Sequence, residues 1–203
     1  MKITRLAQAT DMNKAELNGT MLTVYHRTKS KDVAGNICNV GFYAGGGAMY
    51  GRGIYTTYWY SSSMKDYNLG YGSYVIKGAA DISGFIICDY EIAKQVYGRN
   101  YSLVDQVKNV IGPDKVINPS RNQERQWTLL KEYSKILETK KWTSSIALDL
   151  KKDFSIDKSG VNGVIYTGQH DGRCCVAYNL PVLSYSGISD YLDPSTSPPI
   201  RNP

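Results

Sequence analysis

Two segments carry the residues best suited to chemistry. Thr23-Val24-Tyr25-His26-Arg27-Thr28 is a short apolar run that ends on a histidine. Tyr50-Gly51-Arg52-Gly53-Ile54-Tyr55-Thr56-Thr57 is a glycine-rich turn that delivers a tyrosine into a second run. An imidazole can give or take a hydrogen bond near neutral pH. A tyrosine ring can stack on a planar heterocycle and still tolerate water. Glycines let the backbone come close. Nothing else in the chain points as specifically at a ligand. Plainer explanations stand beside this. A single strand-end histidine is often satisfied by backbone, and a single strand tyrosine usually packs in a core. With seventeen tyrosines against three phenylalanines, most tyrosines here must fill half-buried strands.

The elements that must position these groups follow from pattern. Met21 to His26 reads as a strand, and Ser30 can cap a short helix over Lys31 to Cys38. Gly41 to Gly53 is a glycine-rich loop. Its Gly45-Gly46-Gly47 stretch is no phosphate-binding P-loop, because no Lys-Ser/Thr follows at the required spacing. Gly53 to Thr57 is a strand, and Ser61 to Tyr67 a serine-capped helical turn. Tyr74 to Ile76 and Phe85 to Cys88 are strand candidates around a small-residue turn at Ala79 to Gly84. Tyr90 to Tyr97 and Tyr101 to Ile111 read as helices broken at Gly98, and Pro113 to Ser120 as a connector. Asn122 to Lys140 is the longest helical stretch, with Trp127, Leu130, Ile136 and Leu137 spaced to face a core. Val161 to Thr167 and Cys174 to Tyr178 are strands joined by the polar loop Gly168-Gln169-His170-Asp171-Gly172, a hairpin pattern. Pro181 to Tyr185 adds a strand. Strands with interposed helices, without regular alternation, predict an α+β fold. The expected organisation is an N-terminal arm over residues 1–20, one domain over 21–190 and a disordered, proline-bearing tail over 191–203.

Composition narrows the classes. A chain of 203 residues with 42% hydrophobic and 21% charged residues is that of an ordinary globular protein. No apolar run of about eighteen residues suggests a membrane span. The start, Met-Lys-Ile-Thr-Arg-Leu, has no apolar signal-peptide core, which predicts a cytoplasmic protein, or one delivered into a target cell's cytoplasm. Cys38, Cys88, Cys174 and Cys175 form no C-x-x-C pair and are expected as reduced, mostly buried thiols. Two histidines leave little to build a metal site from, and none is expected. The net charge of +6 favours anionic partners without naming them, since the basic residues are scattered apart from Lys140-Lys141 and Lys151-Lys152.

The order of the two segments resembles the NAD-binding half of ADP-ribosyltransferases of the diphtheria-toxin and poly(ADP-ribose) polymerase type. The likeness covers residues 21 to 90 well and 161 to 185 loosely. It implies a split core of two small antiparallel sheets around an NAD cleft, with flanking helices and NAD as co-substrate. On that likeness, His26 would bond an adenosine-side ribose hydroxyl. The backbone of Arg27 would hold the nicotinamide amide, and Tyr55, after Gly53, would stack on the nicotinamide. Tyr25 and Thr28 flank this grip, and Tyr43 lies in the donor-side loop. A serine eight positions after the tyrosine falls on Ser63. A second ring to close the sandwich falls one position off the family spacing, on Tyr67, with Ser62 and Tyr58 as competitors.

The chain also departs from the family. Arg27 stands where the polymerase branch has glycine, and Tyr43 where it often has arginine. The late-strand glutamate position falls on Cys174 or Cys175. Gln169-His170-Asp171 resembles the Gln-x-Glu pattern of toxin-type members, which makes Asp171 the candidate acid and Gln169 a candidate to orient the acceptor. A solvated hairpin loop explains the same residues. Without the glutamate, chain elongation to a polymer is not expected. The resemblance therefore implies a mono-ADP-ribosyltransferase that modifies a protein or a nucleic acid, of the size of bacterial or phage effectors and toxins, with a cognate inhibitor as a further candidate partner. An NAD glycohydrolase toxin is one alternative. A catalytically inactive module that binds NAD, ADP-ribose or RNA is another.

Overall fold

The computed structural model describes residues 15–44, 49–59, 74–99, 101–112, 123–169, 172–179 and 183–184. Both motif segments lie on neighbouring strands of one sheet. The strands are β1 (Leu17–Asn18), β2 (Met21–Thr28), β3 (Ile54–Trp59), β4 (Tyr74–Asp81), β5 (Phe85–Ile87), β6 (Gly163–Gly168), β7 (Gly172–Ala177) and β8 (Leu183–Ser184). They run in the order β5-β6-β7-β3-β2-β4-β8, with β1 paired to β2. The helices are α1 (Lys31–Val40), α2 (Tyr90–Tyr97), α3 (Leu103–Ile111), α4 (Gln123–Leu137) and α5 (Ser144–Phe154), followed by a 3-10 turn at Ile156–Lys158. The α+β class is as expected. Instead of two separate antiparallel sheets, however, the strands form one path, and it is mixed because β5 lies parallel to β6. Parallel neighbours need a long crossover. The helices α2 to α5 fill it.

Local sequence explains most boundaries. Ser30 caps α1 by accepting from the Val33 amide at 3.4 Å, and Asp89 caps α2 by accepting from the amides of Glu91 and Ile92. β4 runs through the small residues expected as a turn, because all of Tyr74–Asp81 pairs with β2. No element is expected over Ser144–Phe154, yet α5 forms there and buries Ile146, Ala147, Leu150 and Phe154 on one face. In α4, Leu130 and Leu137 are buried as predicted, whereas Ile136 is turned outward and 39% exposed. The expected arm supplies β1. The helical turn at 61–67, the connector at 113–120 and the tail lie outside the described residues.

Among the described residues two large clusters cover the two faces of the sheet, and a smaller one of Ala34, Ile37 and Ile76 seats α1 on β4. On β7, Cys174 and Val176 face a core shared with α3, α4 and α5, while Cys175 and Ala177 face the core under α2. Burial on both faces makes β6 continuously apolar or small. Gly163 is required there, since an added Cβ would fall 2.1 Å from the Phe85 ring and 2.4 Å from the Val176 carbonyl. Side chains close two stretches of strand edge. Gln106 accepts from the Ile87 amide at 2.8 Å and donates to the Ile87 carbonyl at 3.4 Å, so its amide group stands where a strand would pair with β5. Thr143 and Thr167 trade backbone and hydroxyl hydrogen bonds at the end of β6. In the α2-side core, buried Asp89 accepts from the Tyr58 hydroxyl at 2.5 Å and faces Arg173 at 3.4 Å. Among the described residues no helix is long and apolar enough to cross a membrane.

Candidate functional site

The seam between β2 and β3 is where the sheet opens. β2 is paired along its whole length with β4, and β3 is paired with β7. Towards each other, β2 and β3 pair only at Tyr25 and Thr57. Past that pair the His26 side chain takes over, its Nδ1–H donating to the Tyr55 carbonyl at 2.8 Å. A carbonyl can only accept, so the neutral ring carries its proton on Nδ1 and leaves Nε2 as an acceptor. Burial pulls the His26 pKa below its usual value, partly offset by this bond, which keeps the ring neutral at neutral pH. The Phe42 ring meets the imidazole edge-on at 4.8 Å and fixes its tilt.

The divergence opens a cleft of about 700 Å³, within the roughly 300–1,000 Å³ usual for small-molecule sites. Tyr25, His26 and Arg27 of β2 line it, with Val33 and Ile37 of α1, Phe42, Tyr43, Met49, the Tyr50–Thr57 segment from Tyr50 and Gly53 onward, Tyr166 and Cys174. The glycines of the turn are sterically required. Gly51 has φ +111°, and a Cβ there would lie 2.5 Å from Asp157 Cβ; at Gly53 it would lie 2.5 Å from the Ala177 carbonyl. The Tyr55 hydroxyl donates to the Gly51 carbonyl at 2.9 Å and accepts from the Tyr50 amide at 3.1 Å. With its hydroxyl so engaged, and its pKa pushed up to about 12 chiefly by burial, Tyr55 offers a ring rather than a proton. Beneath it Tyr50 stacks on Tyr166 with centroids 4.2 Å apart, and the Tyr178 hydroxyl holds the Tyr50 carbonyl at 2.7 Å. Arg27 brings a guanidinium to the wall. Burial draws its pKa down to about 10, so it stays charged at neutral pH. Burial, with the charge of Glu16, lifts Tyr25 to about 12.

The cleft thus brings together Tyr25, His26, Arg27, Tyr43, Gly53 and Tyr55 of the residues expected at the site. Thr28 is buried opposite Tyr74 and is not part of the lining. Gln169 is exposed beyond the end of β6, also off the lining. Ser63, Tyr67 and Asp171 lie outside the described residues, as do Ser62, His170 and Gly45 to Gly47. Tyr58, the competitor for the second ring, is committed to Asp89 in the other core. Of the two cysteines at the glutamate position, Cys174 lines the cleft, whereas Cys175 faces away. No carboxylate is found among the described lining residues. Tyr50, Tyr166 and Phe42 are additional lining rings. Tyr50 adjoins the Gly-Arg-Gly turn, while nothing in the sequence singles out Tyr166. Comparison with protein-family models, curated proteins and solved structures gave no match for this chain.

Proposed function

We propose that the cleft binds NAD and that the protein is a mono-ADP-ribosyltransferase. The observation that carries this reading is the bond from His26 to the Tyr55 carbonyl. It joins the two motif segments across the seam, and both residues line one cleft large enough for a nucleotide. In this reading the Tyr55 ring supplies the stacking face for nicotinamide. His26 Nε2 accepts from a ribose hydroxyl, and the positive charge of Arg27 in the cleft wall favours the pyrophosphate. The C1′–N bond breaks, nicotinamide leaves with the electron pair, and the acceptor nucleophile bonds C1′ and gives up its proton. The chain's part is to bend and hold the dinucleotide so that this oxocarbenium-like state is reached in the right orientation.

Nicotinamide release from NAD by the purified protein, with and without cell lysate, tests this. Release that needs lysate is expected, with a drop of about 100-fold in both His26→Ala and Tyr55→Ala. Release without lysate makes water the acceptor and the protein a glycohydrolase. A second reading, an inactive module that binds NAD or ADP-ribose, is favoured by Cys174 at the glutamate position and by the lack of a carboxylate among the described lining residues. Tight NAD binding with no nicotinamide released under either condition would sink the transferase reading in its favour.

A further inference from the structure

We propose that the lip of the cleft formed by the Met49–Gly53 turn and the end of α5 docks single-stranded nucleic acid, and that this strand is the acceptor. The acceptor role rests on the ADP-ribosyl-transfer reading; the docking surface does not.

The lip pairs exposed apolar surface with positive charge. Tyr43 is 80% and Met49 63% exposed, and both line the cleft, so they sit at its mouth. Singly exposed apolar side chains are ordinary on a surface, but here two of them share the mouth of one cleft with a cluster of cations. Lys151 Nζ donates to the Met49 carbonyl at 3.1 Å, which sets the last turn of α5 against the lip. Gly51 packs on Asp157, which brings the 3-10 turn and its exposed Lys158 to the same place. Arg52, in the turn itself, is also exposed, as is Lys152 in the same last turn of α5. Against these four cations stands the carboxylate of Asp157; Asp153 is buried. Lysines in a last helical turn suit the helix dipole on their own account. Lys158 ends the 3-10 turn and shares that reason, but Arg52 does not, and the dipole does not explain the exposed ring of Tyr43.

Cations that track phosphates together with an aromatic platform for bases are the working parts of single-strand recognition. A duplex keeps its bases stacked inside and gives Tyr43 no face to meet. An acidic peptide satisfies the cations but leaves Tyr43 and Met49 in water. A strand laid along this lip also brings its sugars and bases to the mouth of the cleft, where C1′ would be attacked.

Fluorescence anisotropy with an unstructured oligonucleotide of about 12 nucleotides, its duplex and an oligoglutamate peptide tests the surface. The single strand should bind at least about 10-fold tighter than either competitor, with a log–log salt slope near −0.7 per phosphate contact. Arg52→Gln/Lys152→Gln/Lys158→Gln, all at exposed positions, should flatten the slope by about 2, with an unchanged thermal melt. Tyr43→Ala should weaken binding roughly 5-fold or more without changing the slope. Equal or tighter binding of the duplex or peptide, or no effect of these variants, overturns the docking surface. With NAD added, a mass gain of one ADP-ribose on the oligonucleotide supports the acceptor role. An unmodified oligonucleotide beside labelled lysate protein overturns that role and leaves transfer standing. Oligonucleotide binding without any NAD binding or turnover overturns the transfer reading and leaves the surface standing.

Discussion

The β6–β7 hairpin and the β2–β3 seam are built from the same backbone groups and put them to different uses. β6 and β7 pair at every position from Gly163 and Ala177 to Gly168 and Gly172. β2 and β3 pair once. In the hairpin, apolar residues are buried on both faces and no polar side chain is needed between the strands. At the seam, the Tyr55 carbonyl left by the ladder is satisfied by an imidazole instead. A cleft within a sheet therefore does not require missing hydrogen bonds. It requires a side chain long enough to make one of them from a distance. That places His26 in a double role, as the closure of the seam and as a cleft residue.

The largest effect is expected where the paired half is anchored. Asp89→Ala removes the acceptor of the Tyr58 hydroxyl, the charge facing Arg173 and the cap of α2 together. Urea unfolding should show a loss of about 3–5 kcal/mol. Asp89→Asn keeps one acceptor oxygen for the cap and sets an NH2 donor against the Tyr58 hydroxyl, so it should lose clearly less than alanine; equal losses would mean that the second carboxylate oxygen and its charge, not the cap, anchor this half. At the seam, Tyr55→Phe gives up two hydrogen bonds and should cost about 1–2 kcal/mol. NAD turnover should survive far better in this variant than in Tyr55→Ala, because the ring remains. If both lose turnover alike, the hydroxyl rather than the ring is the working part.

A smaller signature is one of pH. The folded chain holds His26 below its usual value of about 6.5. As the pH falls through about 6.5, the unfolded chain binds more protons than the folded one, so stability declines and levels off only below the folded pKa. His26→Gln should flatten urea midpoints measured from about pH 7.5 to 5. A profile as steep as that of the parent would assign the slope to His170 or to carboxylates. The smallest effect is in α1, which walls the cleft. A Cβ at Gly35 meets nothing within 4 Å, and Gly35→Ala should stabilise by about 0.5–1 kcal/mol. A fall in melting temperature would mean that α1 needs the freedom of glycine in order to seat.

The contrast between the two halves also explains what the sequence reveals. α1 is legible because Ser30 announces its cap. The cleft residues Tyr25, His26, Arg27, Gly53 and Tyr55 are legible because they lie within two contiguous segments whose types already suit a ligand. The far half of β4 is hidden, since Gly78-Ala79-Ala80 has little strand preference of its own and becomes strand by pairing with β2. Tyr166 is hidden for a different reason. Its place in the site comes from its register opposite Cys174 and from stacking on Tyr50, 116 positions earlier (166 − 50), and no local pattern encodes such a contact. Thr28 shows the converse: adjacency to a site in sequence put it among the expected residues, yet it is buried at the end of β2 opposite Tyr74, off the lining.

The Gln106 amide on β5 bears on how the molecule behaves in company. The outer rim of an end strand is a template on which another chain can add itself. Here the Ile87 amide is occupied by Gln106, and its carbonyl is shared by Gln106 and the Tyr101 hydroxyl. Growth of the sheet into a neighbouring copy is blocked at this rim by the protein's own side chains, and crowding more copies together does not remove the block.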